Sequence, residues 1–184
     1  MKTELSKYDN SSYRPGAGTI KRLVWYYVNL AFFKSAIVPS SGLKCALLRA
    51  FGAKVGKGVN IKPAVNIKYP WRLEIGDYTW IGENAWIDNL DDVKIGSNCC
   101  ISQGAMLLCG NHNYRINTFD LITGKIVLED GVWIGAHSVV CPGIHCKSHS
   151  VLAVNSVATK PMEAFGIYQG NPAVKVKDRK IEVK

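Results

Sequence analysis

Aliphatic side chains recur at intervals of six through the middle of the chain. Val55, Ile61 and Ile67 open the series; a step of eight leads to Ile75, Ile81 and Ile87, and another to Ile95, Ile101 and Leu107. After an interruption, Leu128, Ile134, Val140, Cys146, Leu152 and Ala158 resume it. Thirteen of these fifteen positions are Val, Ile or Leu, which marks them as one buried set rather than an accident of composition. Four residues after many of them stands a second small or β-branched side chain, as at Val59, Val65, Thr79, Ala85, Cys99, Ala105, Val132, Ser138, Ser150 and Ser156. Each repeat therefore offers two inward positions.

An amphipathic helix would show a period near 3.6 and an alternating strand a period near 2, so a strict six requires a short strand and a turn, repeated. Three such units close a triangular coil. The grouping of the sixes in threes predicts an all-β parallel β-helix of about five coils over residues 55–173. At ~4.8 Å per strand spacing the stack is about 24 Å tall. Each coil buries its aliphatics only by stacking on its neighbours. Gly follows the aliphatic at Gly76, Gly82, Gly96 and Gly135, as expected of corners that need an unhindered backbone. A β-sandwich would have no reason to hold this phase from end to end.

The phase breaks once. Leu107 and Leu128 are 21 residues apart where six were due, an insertion of fifteen centred on residues 109–124 (CGNHNYRINTFDLITG). A loop thrown out of a regular prism is the natural wall of a pocket. It carries His112, Tyr114, Arg115 and Asp120, and His112 is its one imidazole, a group that titrates where a general base must work. Cys109, three residues away, is a rival nucleophile.

Residues 1–19 are polar and rich in Ser, Tyr and Gly, with no apolar leader. Residues 19–37 read as a helix that is apolar on almost every side, with Lys21 and Arg22 at its start, and a second short helix is expected over 42–51. The run Leu23–Val38 holds 16 residues and includes Asn29 and Lys34. That falls short of the ~20 needed to span a bilayer. Residues 1–54 therefore read either as a cap on the open first coil or as a peripheral membrane-surface segment.

Charge sharpens this division. The chain carries 23 basic and 14 acidic side chains, a net +9. Residues 1–54 hold +7 of it and the basic tail 174–184 holds +3, while residues 55–173 are at −1. A nucleic-acid-binding domain spreads its cations over the folded face, so no nucleic-acid partner is expected. A composition 47% hydrophobic and 20% charged excludes a disordered chain and suits one globular domain. The six cysteines form no CxxC pair and no zinc spacing, which points to a reducing cytoplasm.

Several short motifs, in this order and phase, resemble the left-handed β-helix acyltransferases with hexapeptide repeats. They are Gly-Asn-His-Asn-Tyr (110–114), Val-Trp-Ile-Gly-Ala (132–136), Cys-Pro-Gly-Ile (141–144), Asn-Ser-Val-Ala-Thr-Lys (155–160) and Gly-Asn-Pro-Ala (170–173). The branch most similar is that of the colanic acid biosynthesis acetyltransferases, favoured by Phe119 to Thr123 and by Lys62-Pro63 through Gly76; the galactoside and maltose acetyltransferases are related. The likeness covers about residues 40–177.

The resemblance implies a homotrimeric, acetyl-CoA-dependent O-acetyltransferase acting on a sugar or glycan precursor in exopolysaccharide biosynthesis; a cytoplasmic protein is expected, at the inner face of the membrane if residues 19–37 touch it. It assigns the general base to His112, with direct transfer and no acyl-enzyme. It places the cofactor along Trp133, Gly135, Ala136, Val154, Thr159, Lys160 and Lys177, in a groove between two subunits. Ala136 stands where some relatives have Ser, so any oxyanion contact there comes from a backbone N–H; Val174 replaces a common Arg. For the acceptor it suggests Trp80, Glu83, Trp86, Asp88, Asn89 and Tyr114. His137, His145 and His149 invite a metal reading, as in the related gamma-class carbonic anhydrases. Their spacing does not fit, because His145 and His149 fall on one late coil and the first two coils have no His, so no metal is expected. Competing readings are N-acetylation of a nucleotide-linked amino sugar and a non-catalytic scaffold.

Overall fold

The structure, a computed structural model, describes residues 2–183. Each coil is three very short strands: β1 (Lys54–Val55), β2 (Asn60–Ile61) and β3 (Asn66–Ile67), then β4 (Leu73–Ile75), β5 (Trp80–Ile81) and β6 (Trp86–Asp88), then β7 (Val93–Ile95), β8 (Cys100–Ile101) and β9 (Met106–Leu108). A hairpin, β10 (Gly110–His112) and β11 (Leu121–Thr123), leaves the stack here. The stack resumes with β12 (Ile126–Leu128), β13 (Trp133–Ile134) and β14 (Val139–Val140), then β15 (His145–Cys146), β16 (Val151–Leu152) and β17 (Val157–Ala158).

These strands form the three faces of a prism: β1-β4-β7-β12-β15, then β2-β5-β8-β13-β16, then β3-β6-β9-β14-β17, all parallel. Aliphatics stack directly on aliphatics, with Ile61, Ile81, Ile101, Ile134 and Leu152 in register on the second face. The inward positions read from the sequence are buried throughout, Val55 on the first coil being half-buried. Burial of each such Ile or Leu contributes roughly 1.5–3 kcal/mol. Two inward hydroxyls are satisfied locally, Thr79 Oγ1 donating to Gly96 O at 2.7 Å and Ser138 Oγ to Ala153 O at 2.6 Å, whereas Ser150 Oγ is buried without a partner.

The corner glycines work differently from the expectation. Gly76, Gly82, Gly96 and Gly135 do not hold the left-handed conformation; it falls two residues later, on Tyr78, Asn84, Asn98 and His137, at φ between 54° and 58°. What the glycines permit is close stacking, since a Cβ on Gly135 would lie 2.7 Å from Leu152 O and Val154 N.

Helix α1 (Thr19–Val28), continued by a π turn at Asn29–Phe33, and α2 (Ser41–Ala50) cover the first coil. The first ends four residues before the expected boundary at 37. Trp25 is buried and donates from Nε1 to Ile67 O at 2.9 Å, and Asn29 Nδ2 donates to Asn66 Oδ1 at 2.8 Å. From α2, Ser41 Oγ accepts from Ile61 N at 2.8 Å and the buried Lys44 Nζ donates to Lys62 O at 2.8 Å. The helices thus satisfy backbone groups that a further coil would otherwise meet.

At the other end the stack is longer than five coils. Met162 bridges to Cys146, and β18 (Gly166–Gly170) pairs in parallel with β16, giving a partial sixth coil. The chain then reverses into β19 (Ala173–Asp178), antiparallel to β18. Residues 174–178 of the expected basic tail therefore form an edge strand, because residues 166–178 are long enough to hairpin onto the second face.

Candidate functional site

The excursion leaves the prism at the corner after the third face. In its hairpin His112 lies opposite Leu121, and Gly124 N closes the neck on Cys109 O at 2.9 Å. The imidazole of His112 stacks on Phe119 with ring centres 4.5 Å apart and planes 6° from parallel. Its Nδ1 lies 2.8 Å from the carbonyl oxygen of Phe119. A carbonyl can only accept, so Nδ1 carries a proton, and in the neutral imidazole Nε2 is the nitrogen with the lone pair. Phe119 adopts φ 55°, a turn that presents both its ring and its carbonyl to the same imidazole.

His112 lines a cleft of about 590 Å³ whose opposite wall comes from the N-terminal residues. Tyr8, with its ring centre 5.8 Å from that of His112, Tyr13 and Arg14 form that wall, facing Tyr69 and Leu90. The segment is tied down along its length: Glu4 N donates to Asn117 O at 2.8 Å, Tyr13 Oη to Leu90 O at 2.7 Å and Trp71 Nε1 to Pro15 O at 2.7 Å. Burial pushes the Tyr13 phenol up, so it stays a donor. Sequence reasoning missed this wall. Residues 2–18 belong to no repeat, and only their two tyrosines and Arg14 gave a signal.

The suggested acceptor residues separate. Trp86 and Asp88 line a groove of about 330 Å³ along α1, and Lys68 Nζ pairs with Asp88 at 3.1 Å. Trp80 and Glu83 sit instead on the second face, with Ser102 and Gln103 around a shallow cleft of about 260 Å³. Asn89 is fully buried: its Oδ1 accepts from Tyr69 N at 2.9 Å and its Nδ2 donates to Tyr69 O at 2.5 Å. Its side chain clamps a corner and, being buried, presents no surface to the cleft. Tyr114 is 75% exposed beyond the cleft, with Arg115 over its ring.

The suggested cofactor residues also lie away from His112. Trp133 stands exposed on the second face with Nε1 donating to Ser102 Oγ at 2.9 Å. Gly135, Ala136 and Val154 form the corner between the second and third faces, where Asn155 N donates to Ala136 O at 3.0 Å. Thr159 and Lys160 are exposed at the corner after the third face, and Lys177 lies on β19 opposite Ile167. Within one chain, the whole third face separates the Ala136 corner from the His112 corner.

The other candidate groups have structural roles. Cys109 is fully buried, and burial pushes its thiol up to about 12. His145 Nε2 lies 2.7 Å from Glu129 Oε1, His149 stacks on Phe165 at 4.9 Å, and His137 lies under Gly104. Among the described residues, no three His, Cys, Asp or Glu side chains of one chain converge as a metal site.

No family model matches the chain. It is 34% identical over 164 residues to WcaF of Escherichia coli (strain K12), which bears the name of a colanic acid biosynthesis acetyltransferase, covering 89% of this chain and 90% of that protein. It is 28% identical over 131 residues to the galactoside O-acetyltransferase of Escherichia coli (strain K12), covering 69% and 64%. The hexapeptide-repeat acetyltransferase VCA0836 of Vibrio cholerae O1 biovar eltor, solved with acetyl coenzyme A, superposes with a TM-score of 0.80 at 25% identity over 90% of this chain and 92% of that one. One-third identity along nine-tenths of both sequences, carried on a solenoid with the same repeat, places this chain in the hexapeptide-repeat acetyltransferase family, beside the colanic acid biosynthesis acetyltransferases.

Proposed function

We propose that this acetyltransferase moves an acetyl group from acetyl-CoA to a hydroxyl of a sugar or glycan precursor in exopolysaccharide biosynthesis. The observation that carries the reading is the fixed tautomer of His112, whose Nε2 is left basic in a residue that lines a cleft. Acetyl-CoA, when bound, supplies an activated thioester. Nε2 takes the proton of the acceptor hydroxyl as its oxygen forms a bond to the acetyl carbonyl carbon. The imidazolium then returns that proton to the departing thiolate. A positioned base typically contributes about 10²–10⁴-fold. The Ala136 N–H at the second corner suits the developing oxyanion, and exposed Trp133, Val154, Thr159, Lys160 and Lys177 offer an apolar track with cations for the cofactor's phosphates.

Because the third face keeps Ala136 and His112 apart in one chain, the site is completed by a second copy, in a homotrimer of left-handed coils. The exposed Ile20, Leu23, Tyr26, Tyr27 and Leu30 of the N-terminal helix suit contact with the cytoplasmic membrane surface. No described helix is long and apolar enough to cross a membrane.

The test follows free thiol release from acetyl-CoA over a panel of glycan and amino-sugar acceptors, with His112→Ala beside the wild type. Release with a glycan hydroxyl that the variant abolishes supports the reading. Release only with amino sugars moves it to N-acetylation, and undiminished release by the variant removes His112 from the chemistry.

A further inference from the structure

The cleft at His112 does not end there. Arg22, Lys68 and Tyr69 line both that cleft and the groove beside α1, so the two cavities adjoin and together make a channel-like surface from His112 to Lys34. The channel carries Arg14, Arg22, Lys34 and Lys68, against the single carboxylate of Asp88. Lys68 is the cation that Asp88 neutralises, at 3.1 Å. Arg22 donates to Thr19 Oγ1 at 3.1 Å, yet its Nε is buried without a partner. Arg14 has only backbone carbonyls, those of Ser11 and Tyr13, within reach.

A neutral sugar gives no reason for this arrangement. Its hydroxyls are recognised by carboxylates, amides and aromatic faces, and excess cations gain little from them. A guanidinium fork matches a phosphate in charge and in hydrogen-bond geometry. Three of these cations come from residues 1–54, which hold +7 of the net charge, and they are brought here against a prism that is itself close to neutral.

We infer that the acceptor is a glycosyl phosphate or diphosphate, held by Arg14 and Arg22 so that a sugar hydroxyl reaches His112. This rests on the proposed role of His112. Beyond the phosphate, Tyr26, Leu30 and Trp86 give the channel an apolar stretch that takes whatever the phosphate is attached to.

The experiment compares kcat/KM for one sugar presented unphosphorylated, as its 1-phosphate, as a nucleotide diphosphate and as a polyprenyl diphosphate in detergent micelles. At least one phosphorylated form is expected to be preferred tenfold or more, and the best form identifies the source. Arg14→Gln/Arg22→Gln is expected to reduce that preference at least tenfold, and Arg22→Lys to reduce it less. Inorganic pyrophosphate, tested on the wild type where folding of a variant is not at issue, is expected to compete with the acceptor. Equal kcat/KM for all forms, or pyrophosphate competing only with acetyl-CoA, overturns the inference. If His112→Ala keeps full turnover while pyrophosphate still competes with the acceptor, the base assignment fails and the phosphate channel stands.

Discussion

The imidazole of His112 is held twice by one residue, through Nδ1–H to the Phe119 carbonyl at 2.8 Å and through a ring stacked at 4.5 Å. The hydrogen bond sets the tautomer and the stack sets the plane, so the excursion loop fixes the proposed base before any ligand arrives. Phe119→Ala keeps the carbonyl and removes the stack. An aromatic pair is worth about 0.5–1.5 kcal/mol, so kcat should fall roughly two- to tenfold with KM for acetyl-CoA unchanged. His112→Ala should fall by about 10²–10⁴ in kcat. Steady-state kinetics on both variants distinguish loss of the base from loss of its orientation.

Cys109 tests the rival chemistry. A buried thiol held near 12 is neutral throughout the working range and is not a nucleophile there. Cys109→Ala should retain wild-type turnover within about twofold, and Cys109 should resist iodoacetamide in the native protein at pH 8. A variant without activity would restore the thiol as a candidate.

The same burial makes stability fall with rising pH. Cys99 is raised to about 11, and Cys109 and Cys146 to about 12, by desolvation. The unfolded chain loses these protons near pH 9 while the folded chain keeps them. The stabilisation is therefore fully present below pH 9 and is lost as pH rises toward 11 to 12. Each thiol contributes a slope of up to about 1.4 kcal/mol per pH unit. Denaturant midpoints from pH 7 to 10.5 should decline, and Cys146→Ala should flatten the decline.

Core and corner substitutions separate two ways of stacking coils. Ile101→Ala, at the middle of the second face, removes a fully packed side chain and should cost about 2–5 kcal/mol. Val55→Ala, at a half-buried position of the first coil, should cost less. Gly135→Ala pushes a methyl into the next coil's backbone and should cost about 1–3 kcal/mol. Urea midpoints of the three variants give the order.

Deleting residues 2–17 takes away the Tyr8, Tyr13 and Arg14 wall while α1 remains on the first coil. Acceptor kcat/KM should fall roughly tenfold or more, since positioning is lost, and acetyl-CoA KM should change little. Full activity of the truncated chain would take the N-terminal wall out of the site.

Periodicity alone determined the solenoid, its three faces and its inward residues, because a six-residue repeat can bury two side chains per unit in only one way. The break in that period located the loop, and composition separated two basic ends from a neutral prism. Tertiary structure decided what no repeat encodes. It placed residues 2–18 opposite His112, because their contacts are with turns dozens of residues away, such as Tyr13 with Leu90 and Trp71 with Pro15. It withdrew Asn89 by burying both ends of its amide against Tyr69. It also turned part of the expected tail into an edge strand and put the Ala136 and His112 corners on opposite sides of a face. Repeat spacing reports which side chains point inward; which outward side chains share a cleft depends on how corners and ends fold back, and that is a property of three dimensions.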